Sequence, residues 1–387
     1  MIQLFSINLS KNRLYGLDIL RALAILFVVI EHGQYILPPS LKTIHNIIIF
    51  DGVSIFFVLS GFLIGGILIK LLDKNKPTKK LIIDFWIRRW FRTLPNYFLI
   101  LFLLIGFSFA FDSEFSILQT KRYFIFAQNL FHPHPHFFPE AWSLSIEEWF
   151  YLITPICIFS LMHFFNIKSK NAILIIAISV LFMVLLFRFI KYSSVDIKSH
   201  YEWDLLFRKQ VFTRLDSLMF GVISAYIQYY MNIRWLKNKK KLFIAGLIIF
   251  IINKTLFLQN VITYTGFYSC VISFSVTSIA TAFLLPYLSD LKSGTGIIYK
   301  GITTVSLISY SMYLLNLSVI QTNIINKIPW TGLNDNIYII VFLKYNTYWI
   351  LTIFGSILIY KFFEVPTTRL RENNRVKRLL VQINGSI

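Results

Sequence analysis

The chain has 387 residues, of which 56% are hydrophobic and 14% are charged, and its mean hydropathy is +0.65. A soluble domain of this size carries more charge and fewer apolar residues, so the composition excludes an ordinary soluble protein. Apolar runs of about 20 residues recur from end to end, which predicts helices that cross a bilayer. Their length and their lack of alternation argue against membrane β-strands.

We predict an all-α fold, a polytopic transmembrane bundle of about ten helices with no soluble domain. The first segment lacks a small-residue cleavage site, so we expect it to be retained and not removed as a signal peptide. The transmembrane domain is assigned to residues 1–370 and a short basic cytoplasmic tail to residues 371–387. The segments lie near 15–37, 46–72, 94–111, 140–164, 171–190, 211–231, 242–259, 265–288, 303–324 and 346–363.

Lysine and arginine set the predicted orientation, because cytoplasmic connections carry an excess of them. They collect in every second connection, and the N-terminus and the tail share this character, so both ends are expected in the cytoplasm. The outer connections are poorer in these residues, apart from a mixed one at 191–210. The net charge of +20 therefore reflects topology, and no nucleic-acid partner is expected.

Neither the cysteines nor the histidine-rich stretch predicts a metal site. Cys157 and Cys270 lie inside apolar segments, where cysteine is usually a small buried hydrophobe. In "HPHPH" (132–136) the alternating prolines hold an extended loop, which does not bring ligands together. We expect no metal and no permanently bound cofactor.

The first segment, "GLDILRALAILFVVIEHG" (16–33), carries ionisable residues that lipid penalises. Arg21 and His32 are eleven positions apart, so they lie on one helix face with an offset of about 20°. Asp18 precedes Arg21 by three residues, and we expect the two to pair. Such a polar stripe faces the bundle interior or a water-filled cavity.

Other segments bring polar residues to matching depths. With the predicted topology, His32 lies in an outer layer together with carboxylates and an amide. Arg21 lies in an inner layer of arginines. The outer layer includes Asp51, Glu147 and Asn316, and the inner layer includes Arg88, Arg89 and Arg92.

Six motifs follow one another along nearly the whole chain. They are "LDILRALAILFVVIEH" (17–32), "DGVSIFFVLSGFLIG" (51–65), "RRWFRTLP" (88–95), "WSLSIEEWFYL" (142–152), "TRLDSLMFG" (213–221) and "FFEVPTTRL" (362–370). In this order they resemble the motifs of the acyltransferase-3 family of integral membrane acyltransferases, which includes O-antigen and exopolysaccharide O-acetyltransferases. Each motif alone is weak evidence, whereas six in order are strong evidence.

The sequence departs from this family pattern at two positions. "SYSMYLLN" (309–316) ends in Asn316 where the family usually has histidine, which alters any part of that residue in acceptor binding or proton transfer. Trp149 stands where glutamine is common. Many family members also carry a soluble esterase-like domain, which we do not expect in these 387 residues.

The resemblance implies transfer of an acyl group, usually acetyl, from cytoplasmic acyl-CoA to a hydroxyl of a glycan or glycosylated acceptor. Guanidinium groups bind phosphates bidentately, and coenzyme A carries phosphates. The residues assigned to the donor are Arg21, Arg88, Arg89 and Arg92. The residues assigned to the substrate are Trp142, Ser143, Tyr151 and Asn316. The expected location is the bacterial inner (cytoplasmic) membrane, with its lipids around the bundle.

His32 is the predicted general base, because neutral imidazole suits the removal of a hydroxyl proton near pH 7. A carboxylate could orient the ring and stabilise its charged form, and Glu147 is the first candidate and Asp51 the second. No triad spacing supports Ser143 as a nucleophile. Direct transfer is therefore favoured over a covalent acyl-enzyme.

Two other functions fit parts of the pattern. Polar groups at two depths also suit a transporter or flippase of a lipid-linked glycan, although inverted repeats or paired broken helices are not evident. A non-enzymatic scaffold is disfavoured by the buried histidine and carboxylates. The size of the acyl group, the acceptor (O-antigen, capsule, peptidoglycan, exopolysaccharide or a small metabolite) and the oligomeric state stay open.

Overall fold

The structure, a computed structural model, describes residues 13–74, 78–332 and 336–371. Its regular secondary structure within these ranges is entirely helical. The predicted all-α helical bundle is therefore confirmed. The predicted basic tail lies outside the described residues after Arg371.

The described residues form eleven helices of ten residues or more. They are α1 Tyr15–Gly33, α2 Pro39–Ile48, α3 Gly52–Lys74, α4 Lys79–Phe111, α5 Ala141–Phe164, α6 Ser169–Ser194, α7 Leu215–Tyr230, α8 Lys239–Leu258, α9 Ser273–Leu288, α10 Gly296–Leu315 and α11 Ile337–Ile359. Shorter helical segments join or extend them. Those used below are the four-residue helix His200–Trp203 and the π-helical segments Asp204–Arg208, Tyr268–Ile272 and Asn316–Thr322.

Every predicted apolar segment coincides with one of the long helices. Eight helical stretches of the described chain are long and apolar enough to cross a membrane, which makes this a multi-pass membrane protein. They are Pro39–Lys74, Lys79–Phe111, Ala141–Phe164, Ser169–Ser194, Lys239–Leu258, Tyr268–Leu288, Gly296–Lys327 and Ile337–Leu370. Helix α1 differs because it carries three charged residues, and α7 differs because it has only 16 residues.

Helix α4 begins much earlier than the hydropathy pattern suggests. The predicted segment starts at residue 94, whereas the helix starts at Lys79 and is capped by Thr78, whose side chain accepts a hydrogen bond from the Leu81 backbone N–H. The arginine-rich stretch lowers the hydropathy but is itself helical. Arg89 and Arg92 are therefore fixed on a regular helix next to the bundle, not on a mobile loop.

Two glycines allow α3 and α7 to touch backbone to backbone. A Cβ on Gly61 would lie 1.9 Å from the Leu218 carbonyl oxygen, and one on Gly221 would lie 2.1 Å from the Val58 carbonyl oxygen. Small residues at a crossing of this kind permit close helix packing in membranes. The crossing also joins the starts of the two helices, where an Arg214 guanidinium N–H donates to Ser54 Oγ at 2.5 Å.

Replacing Gly221 with valine should destabilise the protein, because the new side chain has no space at the α3–α7 crossing. We expect a loss of about 1–3 kcal/mol or more, the usual cost of overpacking. Thermal unfolding of the detergent-purified protein measures it. Gly66→Ala is the control, since a Cβ at Gly66 meets nothing within 4 Å. Equal melting temperatures for the two variants would contradict the close crossing.

Candidate active site

A cavity of about 520 Å³ lies between α1, α3, α4, α5 and α10. Three of the four arginines predicted to bind the donor line it, namely Arg21, Arg89 and Arg92. Arg88 does not line it and is exposed. Two further cations, Arg13 and Lys70, also line the cavity, and the sequence had marked neither as part of a site.

The cations gather at one end of this cavity. Arg13 precedes α1, Lys70 lies in the last turns of α3, and Arg92 lies in the first half of α4, so these antiparallel helices bring them together. Lys70 and Arg92 are exposed, which shows that the cavity is open here. We call this end the basic mouth.

Asp18 does not pair with Arg21, and this prediction was wrong. Asp18 instead accepts hydrogen bonds from Arg13 Nε at 2.8 Å and from Ser306 Oγ at 2.6 Å. The reason is that Asp18 faces α10, whereas Arg21 lies about 60° further around α1. Arg21 is therefore left facing the cavity, where a guanidinium can meet an anion.

Glu147 and Tyr151 form a hydrogen-bonded wall deeper in the cavity. The Tyr151 hydroxyl donates to Glu147 Oε2 at 2.8 Å, and it lies 2.6 Å from Ser60 Oγ. Because that hydroxyl has one proton, Ser60 is the donor in the second bond. The next residue, Glu148, is buried and accepts from Thr93 Oγ1 at 2.7 Å, so the two glutamates face different partners.

The side-chain amide of Asn316 holds the His32 ring. Its Nδ1 lies 2.5 Å from Asn316 Oδ1, and the Asn316 amide nitrogen donates to the carbonyls of Met312 and Tyr313, both at 2.8 Å. These two bonds fix the amide oxygen toward the ring. Nδ1 must then carry the proton, which leaves the lone pair on Nε2 free to accept one.

Neither Glu147 nor Asp51 is the hydrogen-bond partner of His32, so the predicted orienting carboxylate is corrected to Asn316. Glu147 is engaged by Tyr151, and Asp51 accepts from the Ser54 hydroxyl at 2.5 Å. The sequence spacing could not reveal Asn316 as the partner, because the contact joins residues 284 positions apart. His32 itself lines neither this cavity nor a second pocket that Glu31, Asp51 and Arg208 line.

Arg208 forms the centre of a charged cluster at the opposite end of α1 and α3. Its guanidinium nitrogens lie 3.1 Å from Asp204, 3.6 Å from Asp51 and 3.7 Å from Glu31. Burial favours the neutral form of Arg208, but these carboxylates outweigh it and raise its pKa. The sequence had placed Arg208 only in a mixed outer connection, although its i, i+4 spacing from Asp204 was visible.

The residues predicted to bind substrate lie at separate places, some in the cavity and one beside Arg208. Ser143 and Tyr151 line the cavity, and Ser143 Oγ lies 2.6 Å from the Tyr313 hydroxyl. Trp142 lies outside it, with its ring 5.3 Å from the Arg208 guanidinium. Adjacent residues of one motif therefore reach separate sites.

Glu140 is a buried carboxylate that the sequence did not single out. It precedes α5 and accepts from the Ser318 backbone N–H at 2.7 Å and from the Ser318 hydroxyl. Ser318 belongs to the π-helical segment that begins at Asn316. Glu140 thus anchors the segment that presents Asn316 to His32.

His134, His136 and Arg214 have structural contacts. Within the described ranges, no group of three His, Cys, Asp or Glu residues is placed to hold a metal ion. Burial lowers the pKa of His134 to about 3, so this ring is neutral, and His136 bonds the Tyr201 hydroxyl at 2.8 Å. Arg188 forms a buried ion pair with Asp216, with a separation of 2.5 Å.

A polytopic helical bundle with a basic cavity agrees with the resemblance to the integral membrane acyltransferases. Residues 14–361 match the family described as "Acyltransferase domain", and the chain belongs to this acyltransferase-3 family. The resemblance of the six motifs is thereby confirmed.

The chain is similar to curated O-acetyltransferases. It is 28% identical over 343 residues to O-acetyltransferase OatA of Staphylococcus aureus (strain NCTC 8325 / PS 47), covering 80% of this chain and 51% of that protein. It is 33% identical over 162 residues to peptidoglycan O-acetyltransferase OatA of Listeria monocytogenes serovar 1/2a, covering 38% of this chain and 24% of that protein. The chain thus spans about half the length of the first relative. No solved structure matches it.

Replacing Arg208 with glutamine should destabilise the fold, because three carboxylates would lose the cation between them. Removing one partner from a buried ion pair typically costs about 3 kcal/mol or more. We expect a clear drop in melting temperature in detergent. The control is Lys198→Gln, whose partner Asp196 is 3.9 Å away and whose side chain is 75% exposed, so it should change little. Equal effects of the two changes would contradict the cluster.

Proposed function

We propose that the protein is a membrane O-acyltransferase that moves an acyl group, usually acetyl, from cytoplasmic acyl-CoA to a hydroxyl of a cell-envelope glycan. The observation that carries this proposal is a cavity with a basic mouth, lined by Arg21 of the same helix that carries His32 and its free Nε2. The names of the similar proteins support O-acetylation, and one of them supports a peptidoglycan acceptor.

The basic mouth suits the phosphates of coenzyme A. Arg89 and Arg92 lie on one helix turn and are joined there by Arg13 and Lys70, while Arg21 lies deeper. Arg88 faces outside the cavity, so we assign it no direct part. From Arg21 to His32 the helix rises about 16 Å, which is close to the length of a pantetheine arm. A thioester anchored by its phosphates would reach the level of the histidine.

Transfer then needs a single base. As the acceptor oxygen attacks the thioester carbonyl carbon, a C–O bond forms and the hydroxyl proton moves to His32 Nε2. The C–S bond breaks, and His32 returns the proton to the departing CoA thiolate. The Asn316 oxygen accepts a hydrogen bond from Nδ1–H throughout, which keeps the ring in place and stabilises its charged form.

Glu147 and Tyr151 line the cavity beyond the basic mouth, where they can contact the pantetheine amides or the acyl group. Asp51 lies at the far end beside Arg208, on the side from which an acceptor would approach. The excess of lysine and arginine supports placing the basic mouth at the cytoplasmic face of the inner membrane. The transmembrane unit would then be residues 1–370.

Measurements of acyl-CoA binding and of turnover should separate the role of the basic mouth from that of His32. His32→Ala should retain acetyl-CoA binding and lose about 10²–10⁴-fold in transfer or hydrolysis, the usual contribution of a general base. Arg89→Ala combined with Arg92→Ala should lose binding, by about 100-fold, because charge-assisted bonds to phosphate are strong. Arg88→Ala is the matched control on the same turn and should bind normally.

Two results would contradict this assignment. If the wild-type protein in detergent binds no acyl-CoA, the donor site is wrong, and glycan transport in proteoliposomes becomes the function to test. If His32→Ala turns over normally, another residue is the base, and Glu147→Gln is the next variant.

The Asn316–His32 contact gives an independent prediction. Asn316→Leu should bind acetyl-CoA normally but slow turnover by roughly 10- to 100-fold, because the ring loses its hydrogen-bond acceptor. Asn316→His, which restores the residue usual in the family motif, should retain much more activity. Tyr348→Phe is the control, since its hydroxyl lies 3.3 Å from the same oxygen but donates to the Val29 carbonyl at 2.9 Å. Full activity in Asn316→Leu would rule out a positioning role.

A further inference from the structure

The cavity of the candidate active site runs from an exposed end to a buried one. Along α3 its lining extends from Lys70, in the last turns of the helix, to Val53, in the first turn. Lys70 is exposed, whereas Val53 is only 5% exposed. A helix rises about 26 Å over this span. The cavity therefore begins at the basic mouth and extends deep into the bundle.

The buried end of the cavity has mainly apolar and aromatic walls. We call it the inner end and define it by Val53, Phe57, Ser143, Leu144 and Tyr313. All five side chains belong to buried residues, and none of the five carries a charge. Walls of this kind suit an uncharged, largely apolar group.

Tyr313 bridges two helices at the inner end. It lies in the last turn of α10, and its hydroxyl donates to the Glu140 carbonyl at 3.0 Å, just before α5. The same hydroxyl lies 2.6 Å from Ser143 Oγ in the first turn of α5. Glu140 is itself anchored by the Ser318 backbone N–H. The Tyr313 ring is therefore held in place at its tip and forms a firm wall.

This wall stands next to the residue that holds the proposed base. The Asn316 amide donates to the backbone carbonyl of Tyr313 at 2.8 Å. The Asn316 oxygen in turn lies 2.5 Å from His32 Nδ1. A group that enters from the basic mouth and reaches Tyr313 is thus one helical turn from Asn316.

We propose that the inner end binds the acyl group of the donor, and that the Tyr313 ring limits the length of the acyl chain. The inference rests on the proposed function, because it takes the phosphates of coenzyme A to lie at the basic mouth. The acyl group is then the leading end of the donor and meets the wall. Each methylene beyond the available length must displace a buried ring, which is costly in a packed interior. A short, uncharged acyl group is accepted, and longer ones are rejected.

Donors that differ only in chain length test this assignment. Acetyl-, butyryl- and hexanoyl-CoA are compared by titration calorimetry on the detergent-purified protein, and by the kcat/KM of thioester hydrolysis. The wild-type protein should prefer acetyl-CoA over hexanoyl-CoA by roughly tenfold or more, as expected for a misfit of several methylenes. Free coenzyme A is the reference ligand, and its normal binding by a variant shows that the basic mouth is intact.

Shortening the Tyr313 side chain should relax the preference, because a longer chain can occupy the freed space. Tyr313→Ala should reduce the preference about tenfold, and Tyr313→Leu, a milder change, should reduce it less. Tyr313→Phe keeps the ring and should keep the preference. Leu307→Ala is the matched control on α10: Leu307 also lines the cavity, but it follows Ser306, which accepts from Arg13 at 3.3 Å near the basic mouth. It should leave the preference unchanged.

The inference is overturned if the wild-type protein uses hexanoyl-CoA as well as acetyl-CoA. It is equally overturned if Tyr313→Ala or Tyr313→Leu binds coenzyme A normally and keeps the full preference. Loss of the preference in Tyr313→Phe would also contradict it, because the hydroxyl and not the ring would then set the chain length. If the wild-type protein binds acetyl-CoA in these cases, only the acyl pocket is wrong. A wild-type protein that binds no acyl-CoA would instead refute the proposed function.

Discussion

Polar groups inside an apolar bilayer must find their partners within the protein, and the whole arrangement follows from this constraint. Helix α1 carries Asp18, Arg21, Glu31 and His32 in one membrane-length run. Three of them are held by distant partners: Asp18 by Ser306, Glu31 by Arg208 and His32 by Asn316. The side chain of Arg21 lines the cavity instead. The helix is tolerated because the bundle around it supplies the missing bonds.

The same constraint explains what the sequence could and could not predict. Hydropathy is a property of a local run, so the ten segments and the all-α fold were readable. Which arginines face inward was not readable, because the sequence assigned Arg88, Arg89 and Arg92 alike to the donor and only the structure shows Arg88 outside the cavity. The hydrogen-bond partners could not be predicted. Local spacing suggested that Asp18 pairs with Arg21, whereas Asp18 accepts a hydrogen bond from Ser306, which joins α1 to α10. The Asn316–His32 contact and the Glu140 anchor are likewise long-range, and no short motif records them.

Neighbouring residues of one motif lie on different surfaces of the helix, which the sequence of the motif does not show. Trp142 lies against Arg208, while Ser143 faces the first cavity. Glu147 bonds Tyr151, while Glu148 bonds Thr93. On a helix, adjacent side chains point about 100° apart, so each motif serves two neighbours at once. Such a motif can therefore fix the fold and line a site together, and its residues need separate functional tests.

The glycine crossing of α3 and α7 has a consequence for how a substrate gets past the centre of the bundle. Backbones in contact at Gly61 and Gly221 form a tightly packed seam between α3 and α7. An alternating-access cycle would have to rock helices apart along such a seam and lose its packing at every turnover. If the proposed function holds, the seam favours a stationary bundle in which donor and acceptor enter from opposite sides. Only the small acyl group would then have to pass from one compartment to the other.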